Sequence, residues 1–147
     1  MINQAKCADW IRVYKSLQNE SAYLVDQDSI IEDGSFAKAW VIENRNLTVQ
    51  PKKLSPNKPE NPLAQLPLSK STYKSYVSLY VIDCDRKNTA IARGLYFSEF
   101  MGKGSVLSSF KKEIDSQILK SVKPGTLSEA VLNFVCTRVL EFRKTLT

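Results

Sequence analysis

The chain of 147 residues contains no histidine. Histidine is the commonest general base near neutral pH and a frequent metal ligand, so its absence argues against Ser-His or Cys-His catalysis. The three cysteines, Cys7, Cys84 and Cys136, lie far apart and form no C-x-x-C pair, which disfavours a zinc site. We therefore predict a protein that is not an enzyme and that uses no metal or cofactor.

Long apolar runs are also missing. No segment approaches the run of about 18 apolar residues that is typical of a transmembrane helix, and residues 1–6 lack the apolar stretch of a signal peptide. The residues alone leave two interpretations open. The protein is cytosolic, or its sequence begins after a signal that has been removed.

Positive charge is present and is unevenly distributed. The net charge is +6, with 9 basic and 8 acidic side chains in residues 1–70 but 12 and 7 in residues 71–147. A basic surface favours acidic partners, which include nucleic acid, sulfated glycans, anionic membranes and acidic patches on proteins. The simpler alternative is that the charge serves only solubility.

Alternation of polar and apolar residues predicts a sheet protein. The clearest strand ends at Cys84; it places Leu79 and Val81 on one face and Tyr80 and Ile82 on the other, as expected for a central strand covered on both sides. Gly94 is the expected site of a bulge in its hairpin partner. The predicted strands are residues 8–16, 22–26, 36–42, 73–84, 89–100 and 105–110.

Residues 50–70 form a predicted loop. Five of the six prolines lie there, and proline removes a backbone donor and fixes φ, so neither a helix nor a central strand persists. A loop of about 20 residues exceeds the usual connection of roughly 4–6 residues, which indicates a functional or mobile segment. The loop is rich in lysine. The candidate binding residues are lysines of the loop and of its exit: Lys52, Lys53, Lys58, Lys70 and Lys74.

A C-terminal helix is predicted from Thr126 to about Lys144. Thr126 and Glu129 have the spacing of a capping box, and the apolar stripe comprises Leu127, Val131, Phe134, Val135, Val139 and Phe142. Residues 111–123 fit either a helix or a further strand. Cys136 lies within the predicted helix, and two interpretations stay open for it and Cys84: a disulfide between strand and helix, or two buried thiols.

Other patterns have ordinary structural explanations. The pairs Asp26/Asp28 and Asp83/Asp85 lie at strand ends, where turn and capping roles are expected rather than paired-acid catalysis or a calcium site. Gly102-Lys103-Gly104 lacks the remaining residues of a phosphate loop and predicts a turn. Tyrosines alternate with lysines over residues 70–80, but no RNA-recognition motif is present, so packing in a core or interface is favoured over base stacking.

The ordered set of motifs resembles the surface-adhesin protein E family of exported Gram-negative bacterial proteins. The resemblance covers roughly residues 10–140. Its elements are Tyr23-Leu24-Val25-Asp26 with Ser29-Ile30, Ala39-Trp40-Val41, Asp83-Cys84, Tyr96-Phe97-Ser98-Glu99-Phe100, Gly102-Lys103-Gly104, and Pro124-Gly125-Thr126 leading to Val135-Cys136.

The resemblance implies an α+β fold, with a single antiparallel β-sheet of about six strands and a C-terminal α-helix packed on it. It favours a disulfide between Cys84 and Cys136, export to the cell surface or periplasm, and a homodimer. It also implies binding to host extracellular-matrix or plasma proteins. The length suits a single domain over residues 1–147, and the charge of the basic loop makes that loop the expected binding segment. The alternatives are a periplasmic structural or accessory protein and, less favoured, a cytosolic nucleic-acid-binding module.

Overall fold

The computed structural model describes residues 8–18, 20–45 and 73–146. These residues form one antiparallel sheet and a long helix α1 (Leu127–Thr145). The strands are β1 (Trp10–Lys15), β2 (Ala22–Asp26), β3 (Ile31–Asp33), β4 (Phe36–Asn44), β5 (Ser75–Asp83), β6 (Asn88–Phe97), β7 (Val106–Lys111) and β8 (Lys120–Ser121). The predicted fold class and most predicted strands are confirmed.

The strand order is β1-β2-β4-β5-β6-β7, with β3 beside the first half of β4 and β8 beside the start of β6. β4 and β5 pair over eight residues in a row, from Ala37 with Ile82 to Asn44 with Ser75. β5 agrees with its prediction as a central strand, because β-branched and aromatic residues lie on both of its faces. Residues 111–123, left open between helix and strand, are mostly irregular and end in the two-residue strand β8.

Helix α1 begins at the predicted capping box. The Thr126 hydroxyl accepts from the amide of Glu129 at 3.3 Å, and the Glu129 carboxylate accepts from the amide of Gly125 at 3.1 Å. These bonds satisfy donors that an uncapped helix would leave unpaired. The reciprocal bond reaches Gly125 rather than Thr126, a shift of one residue from the usual box.

One face of α1 packs on the sheet and forms the core. Val131, Leu132, Val135 and Val139 are buried against a sheet surface made of Val25, Ala37, Ala39, Val41, Tyr80 and Ile82. The two alanines leave room for the helix to approach the sheet closely. The predicted stripe was wrong at two positions. Phe142, which it included, is 51% exposed, and Leu132, which it left out, is buried.

A disulfide joins Cys84, immediately after β5, to Cys136 in the middle of α1, with an S–S distance of 2.08 Å and a Cα–Cα distance of 5.7 Å. The predicted disulfide is confirmed, and it fixes the helix to the sheet. Cys7 lies outside the described residues. Within the described part of the chain, no helix is long and apolar enough to cross a membrane.

Candidate binding groove

The sheet has a second face that α1 does not cover. A β-bulge in β6 determines which side chains of that strand point to this face. Leu79 pairs with Arg93 and Tyr80 pairs with Ile91, so Ala92 is an extra residue in β6. Because of that extra residue, Ile91 joins the core under the helix while Arg93 points to the helix-free face.

The bulge was expected at Gly94, and that prediction was wrong. Gly94 pairs regularly with Ser78. Its role is steric, since a Cβ atom at this position would collide with the ring of Phe110 and the hydroxyl of Tyr76. The carbonyl of the bulged Ala92 accepts from the amide of Lys112 at 2.8 Å, which carries the chain past the end of β7 and along the helix-free face.

A groove of about 360 Å³ lies on this face, and we call it the cation groove. Its size falls in the range of ligand sites, about 300–1,000 Å³. Leu79 and Val81 belong to its floor, and Val81 is only 2% exposed. The remaining lining residues come from the β3–β4 hairpin, from β6, from the end of β7 and from the segment after it: Asp33, Phe36, Lys38, Ala92, Arg93, Lys111, Lys112, Glu113 and Ile114.

Four basic and two acidic residues line the groove, a formal net charge of +2. The ammonium of one of them, Lys112, lies 5.7 Å from the centroid of the Phe110 ring, on the helix side of the sheet. Lys38 Nζ lies 2.9 Å from Asp33 Oδ2, and this hydrogen bond together with the lysine charge lowers the pKa of Asp33. Arg93 lies over the ring of Trp40, 5.8 Å from its centroid. Among the described residues, Arg93, Lys111 and Lys112 form no ion pair.

Strand register fixes the spacing of these charges. Trp40, Leu79, Arg93 and Lys111 are neighbours across β4, β5, β6 and β7. Adjacent strands lie about 4.8 Å apart, so this row spans about 14 Å. A ligand lying along it would meet the Arg93 guanidinium over the Trp40 ring and then Lys111 on the outer strand. The arrangement suits an acidic partner that also presents apolar surface.

Four of the five predicted binding residues, Lys52, Lys53, Lys58 and Lys70, lie outside the described residues. Lys74 is described. Its Nζ lies 3.1 Å from Glu99 Oε2 and 5.7 Å from the centroid of the Phe100 ring, so its charge is partly neutralised. The amide of Arg45 donates to the carbonyl of Lys74 at 3.0 Å.

The aspartate pairs have the expected turn roles. Asp26 Oδ1 accepts from the amides of Asp9 and Asp28, and Asp83 Oδ1 accepts from the amides of Asp85 and Arg86. The described residues contain no group of three or more His, Cys, Asp or Glu that could hold a metal ion. The glycines of the Gly-Lys-Gly turn have φ of +67° at position 102 and +81° at position 104, where glycine is favoured.

The tyrosines gather on the helix side of the sheet, around Glu43. Tyr73 donates to Glu43 Oε1 at 3.1 Å, and the rings of Tyr76 and Tyr96 stack at 4.5 Å. Burial is the main cause that raises the pKa of Tyr80, to about 12, and also raises those of Tyr23, Tyr73, Tyr76 and Tyr96. The predicted packing role is confirmed for the tyrosines of β5.

Sequence reasoning missed the cation groove. Lys38, Arg93 and Lys111 are far apart in the chain and meet only through strand pairing. One signal was available, since Lys111-Lys112 directly follows the predicted strand 105–110 and could have been predicted to lie at a strand end.

Comparison with known proteins agrees with this architecture. Residues 10–137 match the family model described as surface-adhesin protein E. Crystal form II of Haemophilus influenzae protein E is similar, with 19% identity, a TM-score of 0.57, and coverage of 91% of this chain and 94% of that chain. Its Se-Met form has 20% identity, a TM-score of 0.54, and coverage of 87% and 85%.

A third similar structure is protein E from non-typeable Haemophilus influenzae, with 17% identity, a TM-score of 0.54, and coverage of 90% of this chain and 78% of that chain. At these identities the structures show a common fold. No curated protein matches the chain.

Proposed function

The chain belongs to the surface-adhesin protein E family, and we propose that it recognises host extracellular-matrix or plasma proteins as a non-enzymatic, exported binding protein. Membership of an adhesin family supports a surface location and a binding role. The observation that carries the proposal is the cation groove, where Arg93 and Lys111 have no ion-pair partner among the described residues.

The groove favours acidic partners for a simple electrostatic reason. A pair of unit charges 4 Å apart is worth about 1 kcal/mol in water and more near a protein surface. Cations that are not already paired can offer this attraction without first breaking an internal ion pair. The apolar floor of Leu79 and Val81 adds contact area, so an acidic protein segment bearing apolar side chains fits better than a purely polar polyanion.

The lysines of residues 50–70 extend this proposal. We propose that Lys52, Lys53, Lys58 and Lys70 add positive charge to the binding surface, with Lys74 at its margin. Their support is composition and charge alone. Lys74 contributes less than the others if its contact with Glu99 persists in the complex. We further propose that residues 1–147 form one domain, because the described residues share a single sheet and helix.

The test is binding to immobilised basement-membrane matrix and to plasma proteins. Arg93→Glu/Lys111→Glu removes two attractions and adds two repulsions, about 4 kcal/mol at contact before screening. Since salt screens exposed charges, we expect at least a tenfold loss of affinity, which corresponds to about 1.4 kcal/mol. Lys103→Glu/Lys123→Glu is the matched control, because it makes the same charge change at exposed sites outside the groove.

A second double variant separates groove from loop. Lys52→Glu/Lys53→Glu changes charge only in the predicted loop. A loss with this variant and none with the groove variant would move the binding site to the loop. An equal loss with the control variant would show that net charge alone matters. Failure of the unmodified protein to bind any matrix or plasma protein would contradict the proposed function.

A further inference from the structure

Helix α1 extends beyond the edge of the sheet next to β1. Among the described strands, β1 pairs only with β2, so it is the outermost strand on that side. A groove of about 460 Å³ lies between β1 and α1, and we call it the edge groove. Its lining includes Arg12 and Val13 from β1, and Ala130, Phe134, Thr137, Arg138 and the acidic Glu141 from α1.

The lining residues of α1 are spaced by three and four positions, so they form one continuous side of the helix. The residues on the adjacent side, Val131, Val135 and Val139, are buried on the sheet. The edge-groove side of α1 therefore extends past β1, beyond the edge of the sheet. The edge groove has the position that one more strand beside β1 would occupy.

The outer edge of β1 presents backbone donors and acceptors that no described strand pairs. An extended peptide is the ligand that satisfies such an edge, because its own backbone alternates donors and acceptors at the same spacing. Every second side chain of that peptide would point to the helix side of the sheet. There it would enter the edge groove and contact Val13 and Phe134.

We propose that the edge groove binds an extended acidic peptide, which adds to β1 as a strand and places apolar side chains against α1. Charge selects the acidic character. Arg12 and Lys15 are exposed on β1 and form no ion pair among the described residues. Arg138 already pairs with Glu141 at 3.0 Å and covers the Phe134 ring at 5.2 Å, so it forms a wall of the groove.

The same features disfavour a second copy of this chain as the occupant. Two β1 strands side by side would bring Arg12 and Lys15 of one copy close to those of the other, and like charges on neighbouring strands are destabilising. A bulge at Val13, where the register shifts between Arg12 and Tyr14, also limits a long regular ladder. A short foreign peptide avoids both problems.

The probe is a blocked heptapeptide that alternates glutamate and valine, titrated into the ¹⁵N-labelled full chain and followed by NMR. We expect shifts concentrated at the amides of β1 and at Ala130, Phe134 and Thr137. Two N-methylated versions of the peptide provide the decisive control. Alternate amides of a strand point to opposite sides, so one set of methyl groups should weaken binding at least tenfold and the other set should leave it unchanged.

Variants of the protein test the groove itself. Thr137→Glu adds a negative charge on the helix side of the edge groove and should weaken binding at least tenfold. Leu140→Glu makes a similar change on the same helix at a site that is 54% exposed and outside the groove, and should have no effect. Arg93→Glu/Lys111→Glu should also leave this binding intact, which separates the edge groove from the cation groove.

Three results would overturn the inference. The first is no binding at 1 mM peptide. The second is an equal response to both N-methylated peptides, which would indicate attraction without strand pairing. The third is a dimer of this chain whose contact covers β1 and persists when the peptide is added, which would make a second copy the occupant.

Discussion

The disulfide between Cys84 and Cys136 should contribute a large part of the stability. The two cysteines are 52 residues apart in the chain, and closing a loop of that length lowers the entropy of the unfolded chain. The chain-entropy relation gives a contribution of about 4 kcal/mol at 25 °C. Domains are stable by only about 5–15 kcal/mol, so a large share of the native stability is at stake.

Urea unfolding of oxidised and phosphine-reduced protein measures this contribution in one sequence. Both samples should carry Cys7→Ser, so that the third cysteine cannot exchange with the pair. With a slope m of about 2 kcal/mol per molar urea, reduction should lower the midpoint by about 2 M. The slope should also rise, because the reduced unfolded chain is more expanded and exposes more surface.

A Cys84→Ala/Cys136→Ala variant is the matching control without reductant. It should resemble the reduced protein, with a small additional loss from the side-chain atoms removed beside the core. A midpoint difference below about 0.5 M, or about 1 kcal/mol, would refute the reasoning. It would mean that the reduced unfolded chain already keeps residues 84 and 136 close together.

Three further predictions concern single sites. Gly94→Ala should destabilise by about 1–3 kcal/mol in urea unfolding, because its methyl group collides with the Phe110 ring. Burial raises the pKa of Tyr80 to about 12. Above pH 10 the folded protein should therefore show less phenolate absorbance than the urea-unfolded protein at the same pH. The free energy of unfolding should fall as the pH rises through 12. The hydrogen bond and the charge of Arg143 lower the pKa of Glu32 below its usual value of 4.5. Glu32→Gln should therefore lower the free energy of unfolding at pH 7, and lower it by less at pH 3.

The sequence predicted elements whose signals are local. Alternation over β5, the capping box at Thr126 and the helix to its end were all readable, because each depends on residues close together in the chain. The disulfide needed more than the residues. They left two interpretations open, and the family resemblance favoured the one that the structure confirms.

Features that depend on pairing between strands could not be read in advance. The bulge lies at Ala92 rather than Gly94, which only the pairing of β6 with β5 reveals. The same register turns Arg93 to the helix-free face and so creates the cation groove. Only composition pointed to a basic binding surface, and it pointed to the lysines of residues 50–70, four of which the structure does not describe.

The salt dependence of matrix binding tests the central claim most directly. Affinity of the unmodified protein and of Arg93→Glu/Lys111→Glu for immobilised basement-membrane matrix should be measured at 50 and 300 mM NaCl. Because the Debye length falls below 10 Å over this range, the unmodified protein should lose affinity steeply while the variant, already weak, should change little. Equal affinities and equal salt responses for the two proteins would contradict the assignment of binding to the cation groove.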